Sequence, residues 1–180
     1  MILLFLADGF EETEALESWD ILLRARHEVK LVSVSSSKEV RGTHGLKVSA
    51  DLLLSDLPDS LIPEAVVLPG GMPGAENLYA SSGVRNLIEK TNENGGLICA
   101  ICASPSVFGR MGLLKGKKAT CFPSFEKYLT GAETIDEDVV TDGNVITGRA
   151  MGCTGKFALA VVKALDGEKK ANDVRESAFL

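Results

Sequence analysis

Histidine is scarce in this sequence, with two residues in 180, and Lys and Arg are outnumbered 19 to 25 by Asp and Glu. Proteins that bind nucleic acid gather Lys and Arg into a basic surface, and no such cluster is present here. The two histidines, His27 and His44, are far apart, and no second pair of ligands has the spacing of a zinc site. We therefore expect neither a nucleic-acid partner nor a bound metal.

Long hydrophobic runs are also missing, since no apolar stretch approaches the ~20 residues that span a bilayer. The segment Met1–Ala7 is apolar, but it has no basic start and no cleavage site, and acidic residues follow at once. These features favour a buried first strand over a signal peptide. The four cysteines show no secretory pattern, which is typical of reduced thiols. We expect a cytoplasmic protein without membrane contact.

Short apolar runs rich in β-branched residues alternate with amphipathic stretches, which is typical of a parallel sheet covered by helices on both faces. The sequence thus predicts one α/β domain over residues 1–180, a flavodoxin-like three-layer α/β/α sandwich with a mostly parallel sheet. We predict strands at Ile2–Ala7, Val29–Val34, Ala65–Leu68, Leu97–Ala100 and Val145–Thr147. We predict helices at Glu12–Arg26, at Ser82–Asn94 and around Phe157–Leu165, with only short strands and a loop at Pro123 between Lys117 and Asn144.

Cys102 stands where a predicted strand runs directly into a helix. Such a junction resembles a nucleophile elbow, in which the turn lifts the side chain out of the sheet and the helix start stabilises a thiolate. We therefore expect a lowered thiol pKa, although a buried structural cysteine is the alternative. Cys99 and Cys102 also form C-x-x-C, but Cys99 falls inside the strand, which argues against redox pairing.

Two further loops are expected at the same edge of the sheet. The glycine-rich segment Pro69–Gly74 can turn a backbone N–H group into a site, or it can be a plain turn. The acidic run from Glu11 to Glu14 opens the first helix, where carboxylates favour the helix dipole. A carboxyl beside a thiol would instead have a raised pKa, and periodicity does not choose among Glu11, Glu12, Glu14 and Glu17.

Taken together, four motifs occur in the order seen in the ThiJ/PfpI family. The closest resemblance is to the branch that contains the Parkinson's-disease protein seven and its bacterial relatives, and it covers essentially the whole chain. The motifs are Asp8-Gly-Phe-Glu-Glu-Thr-Glu14, Val67-Leu-Pro-Gly-Gly71, Ala100-Ile-Cys102-Ala103 and Thr147-Gly-Arg149.

The resemblance implies roles for individual residues. Cys102 would be the nucleophile and Glu14 the carboxyl that contacts it. The backbone N–H groups of Gly71 and Ala103 would face a developing oxyanion. Arg24 and His44 fall where the family has basic residues near the site and the dimer seam, with His44 in place of an Arg. The resemblance also implies a homodimer with the first helix near the seam.

Phe122 is the largest departure from the family, since many relatives have a His before Pro123. Peptidase-like members have a His directly after the nucleophile, where this chain has Ala103. Glutaminase relatives need a downstream His, and none follows His44. Both hydrolytic activities are therefore disfavoured.

The activity implied by the resemblance is the handling of reactive 2-oxoaldehydes such as methylglyoxal and glyoxal, without a cofactor. The substrates would be free aldehydes, as for glyoxalase III, or glycated side chains, as for a protein deglycase, and the enzyme class would be hydro-lyase or hydrolase. The alternative is an oxidative-stress sensor or chaperone that uses an oxidisable Cys102.

Overall fold

The computed structural model describes residues 1–180, in which strands and helices alternate. The strands are β1 (Ile2–Leu6), β2 (Val29–Ser33), β3 (Glu39–Arg41), β4 (Lys47–Ser49), β5 (Leu52–Leu53), β6 (Ala65–Leu68), β7 (Leu97–Ile101), β8 (Lys118–Ala119), β9 (Glu133–Thr134), β10 (Val139–Asp142) and β11 (Val145–Gly148). The helices are α1 (Glu12–Arg24), α2 (Gly74–Ala80), α3 (Ser82–Glu93), α4 (Pro105–Arg110), α5 (Thr154–Asp166) and α6 (Glu168–Ala178). None of these helices is both long and apolar enough to cross a membrane.

Seven strands form the main sheet in the order β10-β11-β7-β6-β1-β2-β5. Every neighbouring pair is parallel except β10 and β11 at one edge. Two small pairs lie outside this sheet, the antiparallel hairpin β3–β4 and the parallel pair β8–β9. The mostly parallel sheet predicted from the sequence is confirmed.

Strand β1 shows how the layers arise, because its residues point alternately to two separate cores. Ile2, Leu4 and Leu6 belong to a core that also contains residues of α1, α5 and α6. Leu3 and Phe5 belong to a second core with residues of α2, α3 and α4. The helices therefore cover both faces of the sheet, and the predicted flavodoxin-like α/β/α sandwich is confirmed.

The predicted strands agree with the structure to within one residue at each end, but two helices were not predicted. Helix α6 has a sequence dominated by charged and polar residues, with Ala171 and Val174 as its buried residues, so it lacks a long apolar stripe. Helix α2 has only seven residues, too few for a periodic signal. The sequence pattern places Ala15, Leu16, Trp19, Leu22 and Leu23 on one apolar face of α1. This prediction is corrected at two positions, because Ile21 is buried whereas Leu23 is exposed.

Helix α1 ends in a Schellman motif with an unusual residue at its left-handed position. The N–H group of His27 donates to the carbonyl of Leu22 at 3.2 Å, and that of Arg26 donates to Leu23 at 2.9 Å. Arg26 has a φ of 74°, which favours glycine. A side chain in this conformation costs about 1–2 kcal/mol.

We predict that Arg26→Gly raises the free energy of unfolding by about 0.5–1 kcal/mol, since relief of the strain exceeds the extra freedom that glycine gives the unfolded chain. Urea unfolding measures this change. Arg24→Gly is the matched control, because position 24 lies inside the helix and glycine there should destabilise by about 1 kcal/mol. A destabilised Arg26→Gly variant would contradict the prediction.

Candidate active site

The candidate site lies at the carboxyl ends of β1, β6 and β7, which are neighbours in the centre of the sheet. From β1 the chain runs to β2 on one side and then returns to β6 on the other. Such a switch in strand order leaves a crevice between the loops that follow the two strands. The loop after β1 leads into α1, the loop after β6 contains Gly70 and Gly71, and Cys102 directly follows β7.

Cys102 has a φ of 63°, a left-handed conformation that is rare for a residue with a side chain. Its N–H group donates to the carbonyl of Gly148 at 2.9 Å, and its own carbonyl accepts from the N–H group of Phe122 at 2.8 Å. The hydroxyl of Ser104 is buried and donates to the carbonyl of Pro69 at 2.6 Å. The sharp turn at Cys102 is therefore held from three sides, as in a nucleophile elbow.

Glu14 lies in the first turn of α1 and is almost fully buried, with 1% of its surface exposed. The helix begins beside it because the Glu11 carboxylate accepts from the Glu14 N–H group at 2.6 Å. One Glu14 oxygen, Oε2, accepts from the Gly70 N–H group at 2.7 Å. The other, Oε1, is buried without a hydrogen-bond partner, and the carboxyl lies beside the Cys102 side chain, since both border Gly70.

The two adjacent glycines of the loop after β6 are required for different reasons. A Cβ atom on Gly70 would lie 2.6 Å from the Cβ of Cys102 and 2.7 Å from Oε2 of Glu14. Gly71 has a φ of +88°, and a Cβ there would lie 2.4 Å from the carbonyl oxygen of Gly9. Glycine at position 70 thus lets thiol and carboxyl approach each other, and glycine at 71 allows the backbone turn.

Burial raises the pKa of Glu14 from 4.5 to about 7, although the hydrogen bonds from Gly70 and Cys102 oppose this effect. A substantial fraction of the molecules therefore carries a protonated Glu14 at neutral pH. A carboxyl with a pKa near the working pH can both accept and donate a proton.

Burial and the neighbouring Glu14 carboxylate raise the pKa of the Cys102 thiol, whereas the N–H groups of Ala103 and Gly71 lower it. The predicted lowering of the thiol pKa is therefore wrong, because the N–H groups of the turn are outweighed by burial and by Glu14. Helix α4 begins only at Pro105 and has six residues, so its dipole is small compared with burial. Protonation of Glu14 removes the second of these causes, so the thiol pKa is lower beside a neutral Glu14 than beside a charged one, while burial still raises it.

The structure thus brings together Cys102, Glu14, Gly71 and Ala103. Arg24 is not part of this group within one chain. Its guanidinium pairs with Asp20 at 2.6 Å, and it lies ten residues beyond Glu14, which is roughly 15 Å along the helix.

His44 is also separate from the thiol. Its imidazole Nδ1 lies 2.7 Å from the Glu12 carboxylate, and its backbone N–H group donates to the same carboxylate. This contact raises the pKa of His44 and lowers that of Glu12. His27 pairs with Asp166 at 3.0 Å, so no histidine of the chain contacts Cys102.

Three potential metal ligands lie within 4.8 Å of one another, one side-chain atom each from Glu11, Glu12 and His44. Both oxygens of Glu12 are bonded to His44, and Glu11 caps α1. These groups are occupied with each other and with the backbone. Cys99 is fully buried in β7 and unpaired, as expected for a core residue.

Sequence reasoning missed three residues that shape the site. Gly70 binds the Glu14 carboxyl, Ser104 fastens the turn, and Gly148 accepts from the Cys102 N–H group. All three stand directly beside residues of the four motifs or inside them. Gly70 and Gly148 act through their backbone atoms, and Ser104 acts through one hydrogen bond of its hydroxyl group. Contacts of this kind leave no distinctive pattern in a sequence.

We predict that the contribution of Glu14 to the stability of the wild type falls by about 3 kcal/mol as the pH rises from 4.5 to 7, because the unfolded chain releases the Glu14 proton near 4.5 and the folded chain holds it to about 7. Glu14→Gln carries no such proton. Its stability relative to wild type should therefore rise with pH across this window, as measured by urea unfolding at several pH values.

Glu28→Gln is the matched control, since Glu28 is exposed and the substitution should leave the pH dependence unchanged. A constant difference between Glu14→Gln and wild type from pH 5 to 8 would show that the carboxyl does not titrate in this range.

Comparisons with known proteins agree with the motifs and the fold. The DJ-1/PfpI family model matches residues 1–164. Protein dj-1beta of Drosophila melanogaster is 34% identical over 174 residues, covering 96% of this chain and 92% of that protein. A Caenorhabditis elegans protein named glutathione-independent glyoxalase DJR-1.2 is 30% identical over 175 residues, covering 96% and 92%.

Solved structures extend the likeness to three dimensions. Oxidized DJ-1 of Toxoplasma gondii matches with a TM-score of 0.95 and 31% identity, covering 99% of this chain and 97% of that one. Protein DJ-1 homolog B of Arabidopsis thaliana is 39% identical over 175 residues and 96% of this chain, but this chain spans only 40% of its length. With near-complete coverage by the family model, by relatives and by structures, this chain belongs to the DJ-1/PfpI family.

Proposed function

We propose that this protein is a cysteine-dependent, cofactor-independent enzyme that converts reactive 2-oxoaldehydes such as methylglyoxal and glyoxal into 2-hydroxy acids. The substrate is either the free aldehyde, as for a glyoxalase, or its adduct with a protein side chain, as for a deglycase. The observation that carries this proposal is the buried Glu14 carboxyl beside the Cys102 thiol, opposite the N–H groups of Gly71 and Ala103.

In the first step of the proposed reaction, the Cys102 sulfur bonds to the aldehyde carbon. A charged Glu14 accepts the thiol proton as the bond forms, which suits a carboxyl with a pKa of about 7. The aldehyde oxygen becomes an oxyanion, and the N–H groups of Gly71 and Ala103 stabilise it. Glu14 then gives the proton it accepted to this oxygen, which completes a hemithioacetal and restores the charged carboxylate.

In the second step, Glu14 removes the proton from the former aldehyde carbon while the neighbouring ketone oxygen gains a proton, which gives an enediol. Glu14 then returns its proton to the former ketone carbon, and the hydroxyl of the former aldehyde carbon loses its proton as the thioester carbonyl forms. The aldehyde carbon is thereby oxidised to a thioester and the ketone reduced to an alcohol, so no external redox cofactor is needed. Water then hydrolyses the thioester, which releases the 2-hydroxy acid and restores the thiol. With methylglyoxal the product is lactate.

The second candidate is a redox sensor or chaperone. It is favoured by the unpartnered Oε1 of Glu14 beside the thiol, because a protonated carboxyl there can donate a hydrogen bond to an oxidised sulfur. A sensor reacts once per thiol, whereas an enzyme consumes aldehyde over many cycles.

We predict that Cys102→Ser abolishes lactate formation from methylglyoxal and that Glu14→Gln lowers it by roughly 10²–10⁴, since the amide keeps the size of the side chain but cannot carry the proton. Glu12→Gln is the matched control and should be mild, because Glu12 contacts His44 rather than the thiol. Glu11→Gln should also be mild, since the amide oxygen can still cap α1.

Intact mass after peroxide treatment of the same variants separates the two candidates. If Glu14 only holds an oxidised Cys102, Glu14→Gln retains lactate formation and changes the extent of thiol oxidation. Near-normal turnover by Glu14→Gln would therefore overturn the proposed mechanism.

We also propose a homodimer with α1 near the seam. Leu23 on α1 and Leu46 in the β3–β4 hairpin are 37% and 48% exposed, and a second copy of the chain would cover them. Sedimentation equilibrium at micromolar concentration should give twice the chain mass, and Leu46→Asp should weaken the association. A monomer at this concentration would contradict the proposal.

A further inference from the structure

Large hydrophobic side chains with substantial exposure are few in this protein, and a third of them lie in segments whose backbones contact Cys102. Nine are exposed, and three of these are Met72, Phe122 and Met151, with exposed fractions of 45%, 43% and 50%. Scattered apolar residues are normal on a protein surface, but a cluster of them marks a binding region.

Each of the three stands within three residues of, or at, a backbone group that contacts Cys102. The Phe122 N–H group donates to the Cys102 carbonyl at 2.8 Å. Met72 directly follows Gly71, whose N–H group lies at the thiol. Met151 is three residues after Gly148, whose carbonyl accepts from the Cys102 N–H group. We call these three side chains the apolar rim.

Phe122 is the most rigid of the three. Its ring packs edge-on against Phe125, with ring centroids 6.4 Å apart, and Phe125 packs in turn against Tyr128 at 5.8 Å. An aromatic side chain fixed in this way presents contact area with little loss of conformational entropy.

Charge near the rim is balanced. Arg149, between Gly148 and Met151 in sequence, is paired with Asp136. Met72 also borders a small cavity lined by Asp8 and Arg41, which carry opposite charges. An anionic substituent on the substrate would thus meet no unopposed cation at the rim, whereas an apolar one would be removed from water.

We infer that the apolar rim binds the substituent on the ketone carbon of the substrate, so that the substrates of this protein are 2-oxoaldehydes with a bulky apolar group, above all an aromatic one. This inference rests on the proposed function. Phe122 is its main specificity determinant, because contact between two aromatic rings adds to simple burial.

The test is the ratio of kcat/KM for phenylglyoxal to kcat/KM for methylglyoxal, measured for wild type and variants. This ratio should fall about tenfold in Phe122→Ala, the smallest discrimination typical of a hydrophobic contact. Phe122→Leu, which stays apolar, should retain most of it. Met151→Ala should lower the ratio less than Phe122→Ala does. Tyr128→Ala is the control, because Tyr128 belongs to the same row of aromatic rings but has no contact with Cys102, and it should leave the ratio unchanged.

The ratio cancels any general loss of folded enzyme, since both substrates report on the same active sites. If methylglyoxal is turned over and the ratio is the same in wild type, Phe122→Ala and Met151→Ala, the apolar rim does not bind the substrate. That result would overturn this inference and leave the proposed function intact. An unchanged ratio together with weaker dimerisation of these variants would make the rim a contact between copies of the chain, which also overturns the inference. Absence of turnover with both aldehydes in wild type would overturn the proposed function itself.

Discussion

The hydrogen bond from the Gly70 N–H group to the Glu14 carboxyl is the interaction on which the rest of the site depends. It joins the first turn of α1 to the loop after β6, and the Glu11 N–H group joins the same two segments by donating to the Gly70 carbonyl at 2.9 Å. A buried carboxyl without such a donor would carry an uncompensated desolvation cost. The thiol of Cys102 fits beside this carboxyl only because position 70 has no side chain.

The second constraint is the left-handed backbone at Cys102. This conformation costs about 1–2 kcal/mol, and the hydrogen bonds that hold it contribute roughly 0.5–1.5 kcal/mol each. Their partners, Gly148 and Phe122, come from parts of the chain far from Cys102 in sequence. The region around Phe122, for which the sequence pattern is weak, therefore helps to hold the left-handed turn at Cys102.

The sequence predicted the strands well because parallel strands buried on both faces are continuous apolar runs. It also placed Cys102 at the end of β7, since strand and helix signals meet there. It could not select Glu14 among the nearby carboxyls without the family resemblance. The reason is physical: Glu14 takes a buried position on α1 that the apolar pattern assigns to hydrophobic residues, and only the Gly70 bond makes this acceptable.

The protons of the thiol and the carboxyl are coupled, and this coupling bears on the choice between enzyme and sensor. Peroxide reacts with a thiolate that exists at rest. In this site burial and a charged Glu14 both act against a resting thiolate. An aldehyde makes a different demand, because the carboxylate can accept the thiol proton while the sulfur–carbon bond forms. A base with a pKa of about 7 next to a protonated thiol therefore supports the proposed enzyme over the alternative of a sensor.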